Sequence, residues 1–194
     1  MYKMDKTEII EMVRQFTNQI QETASKIGEK SAFGFLYGNP DMTITAKYVH
    51  TNLIAEDWCA LADFYIDILG CTLVPPERDL QGPHMDAGTG IPGAHLHGAH
   101  LRLPGWGDDG PTLEIFTYNI AAPHEPPAVN RPGFGHIAFS VEDVQAARAV
   151  VLGAGGRAVG EIVTVQIATG ARVTFCYVTD PEGNIIELQS WAPQ

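Results

Sequence analysis

Two stretches of this chain, "YVHTNLIAEDW" and "GFGHIAFSVEDV", follow one plan: a histidine, a short alternating apolar segment, then an acidic pair. His50 precedes Glu56-Asp57 by six residues, and His136 precedes Glu142-Asp143 by the same six. Each acidic pair opens an amphipathic stretch that ends at glycine and leads into a further apolar run, so each copy reads as strand, helix, strand. An internal duplication is the economical explanation. It restricts the fold to arrangements of two similar units.

Both halves also close on a strand that carries a glutamate among apolar neighbours, Glu114 in "PTLEIFTY" and Glu187 in "DPEGNIIELQSW". Side chains alternate between the two faces of a strand. Glu114 therefore sits with Phe116, opposite Leu113 and Ile115, and Glu187 sits with Ile185 and Gln189, opposite Ile186 and Leu188. By the same rule His136, Ala138 and Ser140 share one face, and Ile137, Phe139 and Val141 share the packed one. Two imidazoles and two carboxylates on the semi-polar faces would be costly without a partner. A divalent ion satisfies all four, and two nitrogens with two oxygens suit zinc, nickel, cobalt, manganese or iron. From histidine to glutamate is 64 residues in the first half and 51 in the second. The surplus of 13 is expected in the Gly- and Pro-rich "ERDLQGPHMDAGTGIPGAHLHG", read as a long loop.

The stretches "YVHTNLIAEDWCALADFYIDILG", "TLEIFTY", "GFGHIAFSVEDV" and "VTFCYVTDPEGNIIELQSW" together resemble the vicinal oxygen chelate superfamily. That superfamily includes glyoxalase I, methylmalonyl-CoA epimerase, extradiol dioxygenases and the fosfomycin and bleomycin resistance proteins. The resemblance covers residues 46–191. It implies an α+β fold of two βαβββ modules, with repeats at about 46–125 and 132–192, whose curved mixed sheet surrounds a metal. By position His50, Glu114, His136 and Glu187 match the family's four metal-contacting places.

A metal so held binds the oxygens of a hydroxy- or keto-acyl substrate and acidifies the neighbouring C–H, while a carboxylate takes the proton. Glyoxalase I has the pattern His/Glu/His/Glu, one glutamate of which also moves the proton, and the resemblance gives that role to Glu187 or Glu114. Epimerases of the family usually carry glutamine at the second place. Glu114 therefore turns the expectation toward a glyoxalase-like lyase or isomerase. An extradiol Fe(II) dioxygenase is the alternative, with His50, His136 and Glu187 as its triad and Glu114 unused. A metal-free binding or resistance protein is the third.

Charge narrows the partners. All five lysines lie in residues 1–47, and the net charge of −11 belongs to residues 48–194, where six arginines face 17 acids. Such a surface repels polyanions, which argues against nucleic acid and leaves a small molecule as the expected partner. No apolar stretch approaches the ~20 residues of a membrane span. The opening "MYKMDKTEII" lacks a secretory signal, so the expected compartment is the cytoplasm. Cys59, Cys71 and Cys176 are read as reduced interior fillers. Residues 1–45 are expected to form an amphipathic helix, with Ile9, Val13, Phe16, Ile20, Ala24 and Ile27 on one stripe, followed by a connector. That helix would pack on the domain spanning 46–194 or on a partner in a homodimer. Among the remaining polar residues, His95, His97 and His100 are placed on the loop bordering the pocket, since no carboxylate stands at a usual spacing for a second metal site. Arg102, Arg131 and Arg172 are candidates to clamp a substrate carboxylate. Trp106 and Tyr118 are candidates for an apolar wall or the core.

Overall fold

The computed structural model describes residues 44–123, 125 and 127–192. The first half runs β1 (His50–Ile54), α1 (Trp58–Leu69), β2 (Thr72–Gln81), α2 (Pro83–Thr89), β3 (His95–Arg102) and β4 (Thr112–Tyr118). The second runs β5 (Ile137–Ser140), α3 (Val144–Gly153), β6 (Arg157–Ala158), β7 (Val163–Gln166), β8 (Arg172–Thr179) and β9 (Ile185–Ala192). The expected N-terminal helix lies outside the described residues.

The repeated acidic pairs are helix caps. Asp57 accepts from the amides of Cys59 and Ala60, both at 3.1 Å, and Asp143 accepts from that of Ala146 at 3.0 Å, satisfying donors that the first turn of a helix leaves open. Helix α1 ends at Gly70 in the left-handed conformation, φ 72°. Each half then builds its own mixed sheet, in the orders β1-β4-β3-β2 and β5-β9-β8-β6, with β7 also paired to β8. In both, the first strand runs parallel to the last and the others are antiparallel. The duplication extends to an irregularity. Strand β2 shifts register between Val74 and Arg78, across two prolines that cannot donate to a ladder, and its counterpart is interrupted between β6 and β7.

One apolar cluster joins the halves. Leu61, Tyr65, Leu101, Leu113 and Ile115 of the first half share it with Val151, Cys176, Val178, Ile186 and Leu188 of the second, and Ile137, Phe139 and Val141 pack against it. Polar contacts fix the same seam. The Tyr65 hydroxyl donates to Asp180 Oδ2 at 3.1 Å, and Glu182 accepts from the amides of Glu56 and Asp57 at 2.8 and 2.9 Å. Asp180 is fully buried and also takes the Asn184 backbone and side-chain amides at 2.9 and 2.8 Å. The "DPEGN" turn is thus both a hairpin turn and the clasp between the modules.

Two expectations need correction. The surplus in the first half is not a loop: β2 continues to Gln81, and "PHMDAGT" forms α2, with Pro83 in its first turn and Gly90 ending it at φ 71°. Apolar burial orders the segment, since Leu80, Met85 and Ile91 pack on a second small cluster of Ala94, Leu96 and Phe116. Cys71 and Cys176 are buried, with burial raising the Cys71 thiol to about 11, but Cys59 is exposed. It stands on the side of α1 away from the buried Leu61, Ala62 and Tyr65. Among the described residues, no helix is long and apolar enough to cross a membrane.

Burial raises the carboxyl of Asp180, and its hydrogen bonds from Asn184, Tyr65 and Gly183 only partly offset that. A carboxyl raised in the folded state binds its proton more tightly there than in the unfolded chain. Its contribution to stability is therefore lost as pH rises from the usual carboxylate range through the folded value. Asp180→Asn should flatten that part of the stability-against-pH curve. Asp180→Ala should cost about 2–4 kcal/mol in urea unfolding, because it strands the Tyr65 hydroxyl and the Asn184 amides.

Candidate metal centre

Strands β1, β4 and β9 and the residue leading into β5 supply the polar groups, and the alternation of β4 and β9 aims the glutamates. Leu113 and Ile115 enter the shared core, so Glu114 projects from the other face of β4; Ile186 and Leu188 do the same for Glu187 in β9. The parallel ladder sets Asn52 of β1 opposite Glu114, and Ala138 of β5 opposite Glu187. His50 opens β1 and His136 immediately precedes β5, so each histidine stands two residues from the position facing its glutamate.

His50 Nδ1 lies 3.3 Å from Glu114 Oε1, and His136 Nε2 lies 3.0 Å from Glu187 Oε2. Two donors on one ion at bond lengths of about 2.1 Å are separated by roughly 3.0–3.4 Å in octahedral or tetrahedral geometry. Both pairs fit as ligand edges. The structure brings the four residues together as two pairs, not as one cluster. Among the described residues, the single group of three or more such donors lying within 4.8 Å of one another is Asp79, His95 and His97.

The antiparallel hairpins bring a further side chain against each glutamate. Register places His100 opposite Glu114 and Tyr177 opposite Glu187, at equivalent positions of the two modules. His100 Nε2 lies 3.2 Å from Glu114 Oε1, and Asn52 Nδ2 donates to Glu114 Oε2 at 3.0 Å. Glu114, 9% exposed, thus has both oxygens engaged. Burial first, then Arg78 and His50, lower the pKa of His100, against the opposing pull of Glu114. Tyr177 packs its ring on His136 with centroids 5.1 Å apart, and burial followed by the Glu187 carboxylate pushes its hydroxyl upward. Arg78, opposite Gly98 on the Glu114 face, has a buried Nη1 without a hydrogen-bond partner among the described residues. Counting back across each hairpin turn gives Tyr177, and gives His100, expected only at the pocket border, its place opposite Glu114. The β2 register shift hides Arg78 from any such count.

The sequence pattern of the Glyoxalase/Bleomycin resistance protein/Dioxygenase superfamily matches residues 47–188. The chain belongs to this superfamily. A probable lactoylglutathione lyase of Vibrio parahaemolyticus is 26% identical over 144 residues, which are 73% of this chain and 88% of that protein. A glyoxalase family protein of Bacillus cereus superposes with a TM-score of 0.60 at 22% identity, covering 79% of this chain and 98% of that one. The trypanothione-dependent glyoxalase I of Leishmania major does so at 0.50 and 22%, covering 75% and 87%. These structural likenesses show the superfamily fold.

Within that fold several expected roles change. Of the three histidines assigned to the pocket border, only His100 shares the Glu114 face; the two-residue period puts His95 and His97 on the opposite one. A carboxylate does accompany those two, because β2 brings Asp79 across the sheet. Arg102 donates to the Gly110 carbonyl, Arg131 pairs with Glu125 Oε2 at 3.1 Å, and Arg172 lies on the face of β8 opposite that of Tyr177. Trp106 is exposed in the β3–β4 turn, whereas Tyr118 packs on the small cluster of Phe116.

Gly98 lets β3 lie this close to Ile115 and Phe116 of β4. A Cβ there would stand 2.1 Å from the Ile115 carbonyl oxygen and 2.9 Å from the Phe116 Cα, both backbone atoms. Gly98→Ala should destabilise the domain by about 1–3 kcal/mol or more in chemical unfolding, as overpacking does. Gly88→Ala, where a Cβ meets nothing within 4 Å, is the matched control.

Proposed function

We propose that the chain is a divalent-metal-dependent lyase or isomerase of the glyoxalase type, with a small hydroxy- or keto-acyl compound as substrate. His50, Glu114, His136 and Glu187 would hold the ion, be it zinc, nickel, cobalt, manganese or iron. The observation that carries this reading is the pairing at ligand-edge distance of one imidazole with one strand glutamate in each module. The Vibrio relative supports the direction of the reading.

When bound, the ion supplies positive charge to the substrate oxygens, which lowers the cost of removing the adjacent proton. The rest is the work of the chain. Glu114, with His50 and His100 against one oxygen and Asn52 on the other, is held in place and suits a fixed ligand. Glu187 meets His136 through Oε2 and faces Tyr177 across the hairpin. It is the carboxylate we assign to take the proton from one carbon and return it to the next. Arg78, whose Nη1 on the Glu114 side has no partner among the described residues, suits a carboxylate of the substrate.

Because the four donors form two separate pairs, a second copy of the chain completes the site, joining the first module of one copy to the second module of the other. Exposed apolar residues support such a contact: Ile54 on β1, Val163 and Val165 on β7 and Trp191 on β9 are 40–55% exposed and lie on the same faces as the glutamates. Three unpaired cysteines accord with a cytoplasmic setting.

Metal analysis together with loss of solvent-exchangeable α-protons, across a panel of hydroxy- and keto-acyl compounds, tests the activity. Glu187→Gln should lower turnover by about 10²–10⁴-fold, the range of general acid–base catalysis, and Glu114→Gln should lower metal occupancy as well. Oxygen uptake on a catechol with Fe(II), unaffected by Glu114→Gln, would establish the dioxygenase instead. Ligand binding by a chain that takes up no divalent metal would establish the binding protein. For the dimer, mixing inactive His50→Ala and Glu187→Gln chains should restore about a quarter of the activity, since half the dimers are mixed and each carries one intact site. No recovery after subunit exchange places the site within one chain.

A further inference from the structure

The excursion that makes the first module longer than the second leaves Gln81 at the end of β2, forms α2, and returns at His95. Three metal-ligating side chains flank it. Asp79 lies two residues before its start, and His95 and His97 begin β3. Asp79 pairs in register with His97, and His95 follows on the same side by the two-residue period, while Leu80 and Leu96 point the other way. His95 Nε2 is 2.6 Å and His97 Nε2 3.8 Å from Asp79 Oδ1, with the two rings 4.1 Å apart between centroids.

We propose that Asp79, His95 and His97 form a second divalent-cation site, separate from the Glu114 and Glu187 pairs. Two imidazoles and one carboxylate suit zinc, nickel, cobalt or copper(II) and disfavour magnesium or calcium, which prefer oxygen alone. Water fills the remaining positions. The separations straddle the ligand-edge value, so the ion replaces the His95–Asp79 hydrogen bond by drawing one contact out and the other in by about half an ångström. Side-chain exposures of 60% for Asp79, 30% for His95 and 48% for His97 leave room for that movement.

The backbone beneath them is already fixed. The His95 amide donates to Asn119 Oδ1 at 2.9 Å, its carbonyl accepts from the Asn119 amide at 3.0 Å, and the Ala94 amide donates to Asp86 Oδ1 of α2 at 3.1 Å. An ion bridging Asp79 to His95 and His97 closes the excursion at its neck, as a metal clip closes a loop. Its consequence is stability of β2, α2 and the small cluster under Phe116. It takes no part in turnover.

Zinc alone is the probe, on the full chain. Equilibrium dialysis with metal analysis should show one zinc per chain still bound by the Glu114→Gln/Glu187→Gln variant, and added zinc should raise its melting temperature. His95→Ala/His97→Ala, added to that variant, should remove both effects, and Asp79→Asn should weaken binding by about tenfold or more. The same loss of one zinc should follow His95→Ala/His97→Ala in the otherwise unaltered chain, with turnover retained. Zinc uptake and melting shift unchanged by these substitutions, or no zinc on the Glu114→Gln/Glu187→Gln chain, would overturn the site. Failure of the proposed catalytic centre would leave this result untouched.

Discussion

Leu113 and Ile115 in β4, and Ile186 and Leu188 in β9, are buried in one apolar cluster that both modules share. That burial constrains every part of the candidate centre. A strand anchored by every second side chain cannot rotate, so the residue between the anchors has one direction left to it. Glu114 and Glu187 occupy those intervening places. Slipping either strand by one residue would bury a carboxylate in the core and expose two large aliphatic side chains, each worth about 1.5–3 kcal/mol of burial. The Tyr65–Asp180 and Glu182 contacts then fix how the two anchored sheets meet.

The modules share a plan but differ in detail. Asn52 and His100 surround Glu114, where Ala138 and Tyr177 stand at the equivalent places around Glu187. One carboxylate is therefore held by three polar side chains. The other has an imidazole on one oxygen and a phenol across the ladder. Duplication accounts for the common geometry, and divergence at these two places gives the two glutamates different surroundings. The excursion through α2 is a further divergence, paid for by the small cluster of Ala94, Leu96 and Phe116.

Much of the fold was legible because its signals are local. The six-residue step from histidine to acidic pair recurs because Asp57 and Asp143 cap helices at a fixed distance from the strand before them. Alternation in "TLEIFTY" and "NIIEL" separates the residues of the shared core from the glutamates between them. What failed was also local in appearance. The glycines and prolines of "ERDLQGPHMDAGTGIPG" read as loop, yet burial of Leu80, Met85 and Ile91 folds that segment into strand and helix. The histidines of "HLHGAH" stand close in sequence, yet strand geometry sends His100 to one face and His95 and His97 to the other.

By itself the sequence determined the two-module α+β plan, the helix caps, and the face of its strand on which each glutamate stands, because each depends on periodicity or short-range hydrogen bonding. Only the tertiary structure decided which side chains gather around those pairs. His100 beside Glu114, Tyr177 opposite Glu187, Asp79 beside His95, and Asp180 beneath Tyr65 all meet across ladders or between modules. Such meetings are set by register, bulges and the packing of one sheet against another. These are properties of the whole chain, which no window along it contains.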